Sequence, residues 1–171
     1  MEKIAVFGSA FNPPSLGHKD VIESLSHFDR VLLEPSIAHA WGKEMLDYAT
    51  RCTLVEAFMS DLNLSNIDCL RLESELYQDS ETVTTFQLLE KIQDLYPNAD
   101  ITFVIGPDNL LKFGQFYRAN DILARWSVLA CPERVSIRST VIRQRLASGQ
   151  SIDQLTTPTV AEMIEQQQLF L

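Results

Sequence analysis

The chain has 171 residues, 46% of them hydrophobic and 22% charged, the balance of a soluble globular protein long enough to bury a sizeable core. A net charge of −9 excludes a broad basic face for nucleic acid or an anionic membrane, while a few local donors still suffice for a small anionic ligand. Three scattered cysteines (Cys52, Cys69, Cys131) with no CxxC pair read as reduced core thiols rather than a disulfide or zinc set, and MEKIAVFG holds no apolar run of signal-peptide or membrane length, so the expected compartment is the cytoplasm.

Apolar runs and helical patterns alternate from end to end. KIAVF (3–7) reads as a buried strand, and 17–28 as a helix with Val21, Ile22, Leu25 and Phe28 on one face. RVLLEP (30–35) is a second strand, stopped by Pro35. A helix follows over about 47–62, with Tyr48, Cys52, Val55, Met59 and Leu62 in one stripe. NIDCLRLES (66–74) gives a third strand, and 82–95 a helix with Val83, Phe86, Leu89 and Ile92 inward. DITFVIG (100–106) and WSVLAC (126–131) are the fourth and fifth strands. Two closing helices start near Ser139 and at Thr157-Pro158, where Thr at N-cap and Pro at the first helical position are start signals.

Apolar strands separated by helices predict a single α/β domain over 1–171, a Rossmann-like doubly wound parallel sheet of about five strands with helices on both faces. Ligands of such sheets sit beyond the carboxyl ends of the strands, near the reversal of strand order. The segments to read are therefore 8–17, 36–46, 74–82, 106–117 and 132–139, each expected as a loop.

GSAFNPPSLGH (8–18) occupies the phosphate-binding slot after the first strand, yet matches neither GxGxxG nor GxxxxGK[ST]. Gly8 allows a sharp turn, Pro13 and Pro14 stiffen the loop, and Gly17 leaves the helix start open to a ligand. His18 falls in the first helical turn, where free N–H groups and the helix dipole favour an anion. A tight turn with a surface histidine is the plain alternative. In SIRSTVIRQRL (136–146), Ser139 and Thr140 read as helix-capping hydroxyls beside Arg138, Arg143 and Arg145, a set suited to a triphosphate or merely to a solvated helix face. In VIGPDNLLKFGQFY (104–117), Asp108 and Asn109 stand at the ligand-facing end, and Phe113, Phe116 and Tyr117 offer faces for a planar ring or for the core. His39, Trp41 and Lys43 share a polar loop, and Ser80, Thr82, Thr84 and Thr85 crowd a helix start.

In order, these segments resemble the nucleotidylyltransferases marked by H/T-x-G-H and a late I-S-S-T-x-I-R, and within them the nicotinate/nicotinamide mononucleotide adenylyltransferases. GSAFNPPSLGH stands where that family has G-G-T-F-D-P-x-H-x-G-H, and SETVTTFQLL resembles S-Y-T-x-D-T-L. IGPDNLLKFGQFY resembles I-G-x-D-x-L…W, IRSTVIRQRLASGQSIDQL the late motif, and VAEMIEQQQLF the closing helix. The resemblance implies a transferase of NAD biosynthesis. It joins ATP, with Mg²⁺, to nicotinate or nicotinamide mononucleotide by direct in-line attack, releasing pyrophosphate, with no protein nucleophile and no protein-held metal.

By the same likeness His18, Arg143 and Lys43 are the catalytic set. Gly8, Ser9, Phe11, Ser15, Gly17, His18, Gly106, Asp108, Ile137, Ser139, Thr140 and Arg143 would bind ATP. Ala10, Lys43, Thr82, Thr85, Asp108 and Phe116 would bind the mononucleotide, with Phe116 at the family's stacking tryptophan. Four departures stand out: Ser15 for the first histidine, Asn12 for an aspartate, Phe116 for tryptophan, and a 132–136 connection several tens of residues shorter than usual. Two alternatives stay open, a transferase for another phosphorylated acceptor such as phosphopantetheine and a degenerate relative that binds nucleotide without turnover. The oligomeric state, homo-oligomers included, is also open.

Overall fold

The computed structural model describes residues 1–38, 45–77 and 82–170. His39, Trp41, Lys43 and Ser80 lie outside them. Five strands, β1 (Lys3–Ser9), β2 (Arg30–Pro35), β3 (Ile67–Cys69), β4 (Asp100–Ile105) and β5 (Ser127–Ala130), form one sheet in the order β3-β2-β1-β4-β5. Every pairing is parallel, with Phe7 opposite Leu33 on one side and Val104 on the other. The chain builds outward from β1 to β3, then crosses back to lay β4 on the other flank of β1. The strand order reverses between β1 and β4, which opens a crevice at their carboxyl ends.

Helices cover both faces because the strands are apolar on both. Ala5, Phe7, Val31, Leu33 and Val104 point to one side, against α1 (Leu16–Glu23), α2 (Tyr48–Leu62), α7 (Ser139–Ala147) and α8 (Pro158–Gln166). Ile4, Val6, Leu32, Phe103 and Ile105 point to the other, against α3 (Leu72–Leu76), α4 (Thr85–Leu95) and α6 (Ala119–Arg125). The alternation along each strand is the two-residue period of a pleated sheet. Cys52 and Cys131 are buried free thiols, and burial pushes the half-buried Cys69 up to about 12. Among the described residues, no helix is long and apolar enough to cross a membrane.

Several elements differ from the sequence reading. The third strand ends at Cys69 instead of reaching residue 74, because α3 starts at Leu72, with the buried Glu34 carboxylate accepting from the Glu73 N–H at 2.9 Å. The segment 106–117 is helical rather than loop: α5 (Pro107–Lys112) starts with Pro107 in its first turn, and a 3-10 turn spans Phe113–Gln115. Helix α6, entered through Arg118 at φ +56°, is a further element. The helix expected over 17–28 stops at Glu23, yet Leu25 and Phe28 still face inward through tight turns. Thr84, not Thr82, caps α4.

Arg51 widens the buried face of α2 beyond the apolar stripe. It is 1% exposed and donates from Nε to Leu46 O (2.8 Å), from Nη1 to Ala10 O (2.9 Å) and Ser36 O (2.6 Å), and from Nη2 to Ile37 O (3.3 Å). One guanidinium thereby ties the ends of β1 and β2 to the start of α2. Replacing Arg51 with Met leaves those carbonyls buried without donors, and a loss of about 3 kcal/mol or more is expected in urea unfolding. A loss under about 1 kcal/mol would show that the loops hold their shape without it.

Candidate active site at the carboxyl edge of the sheet

The loop after β1 turns inward at Phe11, which is fully buried at φ +49°, and passes through a cis peptide at Asn12-Pro13. It re-emerges at Ser15, the N-cap of α1. The Ser15 backbone N–H donates to His18 Nδ1 at 3.0 Å, and the Ser15 hydroxyl accepts from the His18 N–H at 3.3 Å. Because Nδ1 accepts, the proton of a neutral ring sits on Nε2, which lies 3.0 Å from Ser9 Oγ. The ring packs against Phe7 and Phe11, with centroids 6.0 and 4.7 Å away, and burial lowers its pKa to about 4. His18 is therefore a fixed, uncharged N–H donor at neutral pH.

The start of α7 meets this loop directly. The Ser15 hydroxyl donates to Ile137 O at 2.9 Å, Ser139 Oγ to Pro13 O at 2.6 Å, and Arg143 Nη1 to Asn12 O at 2.7 Å. Ser139 and Thr140 occupy the first turn of α7, and Arg138 rather than either of them is the N-cap. The expected capping role is thus overturned, because Ser139 bonds across to the other loop and Thr140 accepts from Arg143 Nη2 at 3.2 Å. Gly17 serves a different need from the open helix start expected of it. A Cβ there would stand 2.4 Å from Ile137 O and 3.2 Å from Val135 O. The short 132–136 connection brings those carbonyls onto α1, and only glycine admits them.

Three cavities open along this edge, and Ser9 lines all of them. The first, of about 300 Å³, holds Gly8, Ser15, Gly17, His18, Gly106, Asp108, Ile137 and Ser139. The second, of about 130 Å³, holds Phe11, Asn12, Thr140 and Arg143 and shares Ser139 with the first. The third, of about 410 Å³, holds Ala10, Thr85 and Phe116. Thr82 lies outside these three, with Val83 and Thr84 in its stead, and Asp108 reaches only the first, while Asn109 lines both it and the third. Phe116 is half-buried, its ring 5.0 Å from Phe113 and 6.3 Å from Phe103, and Tyr117 is exposed. Asp108 pairs with Arg138 at 2.8 Å, and both Glu133 oxygens hold the same guanidinium at 2.7 Å, an ion-pair bridge across the first cavity's rim.

Sequence reasoning missed the buried polar groups beneath the third cavity. Glu34 is fully buried; its Oε1 accepts from the α3 backbone, while Oε2 has no hydrogen-bond partner among the described residues, and burial pushes its pKa up to about 8. Glu73, also buried, lines the cavity and accepts from the Ile37 N–H at 3.2 Å; burial raises it to about 7 against the opposing pull of that bond and of Arg51. An acidic residue within the apolar run RVLLEP, and an arginine beside the α2 stripe, were the available signals. Asn12, standing where the resembled family has aspartate, is buried, with Oδ1 accepting from Leu46 N–H at 3.2 Å, so this position carries a structural bond without needing a charge.

A model of the cytidylyltransferase-like family matches residues 6–145, from the middle of β1 into α7, and the chain belongs to that family. Its crystallised relative from Vibrio parahaemolyticus, a provisionally named nicotinate-nucleotide adenylyltransferase, is 59% identical with a TM-score of 0.90, covering 99% of this chain and 96% of the other. A curated, likewise provisional, nicotinate-nucleotide adenylyltransferase of Anaeromyxobacter dehalogenans is 28% identical over 98% of this chain and 96% of its own. The Plasmodium falciparum nicotinic acid mononucleotide adenylyltransferase complexed with NaAD shares the fold at 17% identity, with a TM-score of 0.78 over 99% of this chain and 98% of that one. Within its family the chain groups with the nicotinate-nucleotide adenylyltransferases.

Two outcomes follow from this geometry. Gly17→Ala should lower stability by about 2 kcal/mol or more, since the new Cβ meets backbone carbonyls, and should weaken ATP binding measured by calorimetry; retention of both would show that the 135–137 segment can retreat. Glu34 binds a proton more tightly folded (about 8) than unfolded (about 4.5), so its ionisation erodes stability as pH rises from about 5 to 8. Glu34→Gln should flatten that decline, retaining roughly 2 kcal/mol more than the parent at pH 8 relative to pH 5 in urea melts.

Proposed function

We propose that this chain joins ATP to a pyridine mononucleotide, nicotinate mononucleotide or its amide, with release of pyrophosphate. The observation that supports it most directly is the convergence of two helix starts, remote in sequence, on one edge. Helix α1 brings the His18 Nε2–H and α7 brings Arg143 with its first-turn N–H groups, and Ser9 and Ser139 line both adjoining cavities.

The acceptor's own phosphate attacks the α-phosphorus of ATP in line, and the bond from that phosphorus to the bridging oxygen breaks, leaving pyrophosphate. The protein then has to position and neutralise, not to form a covalent bond. In this reading the first cavity takes the adenosine side of ATP, the third takes the pyridine ring against Phe116 with Thr85 and Ala10 at hand, and the phosphates lie between them. His18 donates its Nε2–H to the transferring phosphoryl group. As a neutral donor held from behind by the Ser15 N–H, it needs no proton exchange during the step. Arg143, held by Asn12 O and Thr140, aims charge at the departing phosphates.

Magnesium fits as an ion delivered by the triphosphate. The substrate phosphates would supply most of its oxygens. It would offset phosphate charge, and the residues above would act around it.

Pyrophosphate release should require ATP, magnesium and one of the two pyridine mononucleotides; ATP binding without release with either would leave only a nucleotide-binding relative. His18→Ala should cut kcat by about 10²-fold, equivalent to about 2.7 kcal/mol, in a variant that circular dichroism shows to be folded at the assay temperature. Because the imidazole stays neutral above about pH 4, the rate should show no histidine inflection between pH 6 and 8, and such an inflection would remove the neutral-donor role.

A further inference from the structure

We propose that Ser9 is a further catalytic residue: its hydroxyl donates to the phosphoryl group in transfer, beside the His18 Nε2–H, and supplies the donor that Ser15 and Ser139 spend on backbone carbonyls. The inference rests on the adenylyltransferase reading and adds to it a contact that the reading does not contain.

The placement carries it. Ser9 ends β1 opposite Pro35, with its backbone C=O accepting from the Ser36 N–H at 3.0 Å. It follows Ala5 and Phe7 at the two-residue period, so its side chain leaves the sheet on the α1 face. There Phe7 packs on the His18 ring, and Ser9 Oγ meets Nε2 at 3.0 Å. That contact runs in one direction. Nδ1 accepts the Ser15 N–H, so Nε2 carries the ring proton and the Ser9 hydroxyl accepts it. A serine this close to a histidine has the look of an activated nucleophile, but a ring that donates here cannot take the serine proton. Ser9 keeps that proton and points it away from the ring. Among the described residues its hydroxyl has no second partner, and Ser9 is the one residue that lines all three cavities, where the phosphates would lie.

The other two serines of the first cavity use their protons internally. Ser15 is 1% exposed, with acceptors at Ile137 O (2.9 Å) and His18 Nδ1 (3.1 Å), and Ser139 donates to Pro13 O at 2.6 Å. The Ser9 hydroxyl is also this chain's own. Where the resembled pattern reads G-G-T-F, residues 8–11 read GSAF, which moves the side-chain oxygen from residue 10 to residue 9, next to the imidazole. An N–H and an O–H whose heavy atoms stand 3.0 Å apart converge on one phosphoryl group, and fixed donors of this kind gain strength as charge builds there in the transition state.

Pyrophosphate release by the parent, Ser9→Ala, His18→Ala and the double variant tests the contact, with each protein shown by circular dichroism to be folded at the assay temperature. Ser9→Ala should lower kcat about tenfold and leave the KM values for ATP and the mononucleotide within about twofold, because the bond tightens only in the transition state. In the His18→Ala background the same substitution should still lower kcat about fivefold. A hydroxyl that touches the phosphoryl group acts without the ring, whereas one that merely steadies the ring has nothing left to do once the ring is gone. Ser9→Gly, which restores the residue of the resembled pattern, should show the same loss and carries the test if the alanine variant does not fold. A kcat within about twofold of the parent's, a loss carried by KM alone, or a loss that vanishes without His18 overturns the role of Ser9 and leaves the adenylyltransferase reading intact. A parent that binds magnesium-ATP but releases no pyrophosphate with either mononucleotide overturns that reading, and this inference with it.

Discussion

The structure depends on a reciprocal latch between two segments some 120 residues apart. The loop before α1 supplies carbonyls at Asn12 and Pro13, which accept from Arg143 and Ser139 of α7. In return the 135–137 segment supplies carbonyls that accept from Ser15 and crowd Gly17. Thr156 and Leu155, entering α8, add bonds to Pro14 and Leu16. Each segment satisfies backbone groups that the other leaves bare, so neither helix start is well placed without its counterpart. A cleft lined from both sides follows from that closure.

The latch also decides the chemistry of the histidine. Ser15 caps α1 and its N–H fixes the imidazole from behind, so Nε2 is a donor aimed at Ser9 Oγ. In the resembled family this position carries a second histidine. Here the Ser15 hydroxyl donates to Ile137 O at 2.9 Å, just beyond the 132–136 connection.

On the other flank the site is built over buried polar groups. Glu34 starts α3, Glu73 holds the Ile37 N–H, and Arg51 gathers carbonyls from Ala10, Ser36, Ile37 and Leu46. Burying carboxyl groups costs stability, and the raised pKa values of Glu34 and Glu73 are the measure of that cost.

Strand-forming runs and the loop chemistry were legible because they are local. KIAVF, RVLLEP and DITFVIG are apolar on both faces, which dictates a covered parallel sheet, and the glycine, proline and histidine spacing after β1 marks a phosphate-type turn before any coordinate is seen. Short elements were not legible. Three-residue β3 and the five-residue α3 are too short to repeat a period, and α3 begins where a carboxylate from β2 reaches it. Nor could the roles of hydroxyls be read, since Ser139 and Thr140 have the composition of caps while their partners come from across the molecule. By itself the sequence determined the fold class and the edge of the sheet where ligands belong, because periodicity and turn chemistry act between near neighbours, while the family came from the resemblance of its ordered motifs. Only the tertiary structure decided which nitrogen of His18 faces the cleft, why residue 17 must lack a side chain, and which buried acid borders the cavity beside Phe116, because each of these is set by groups that meet only when distant segments pack.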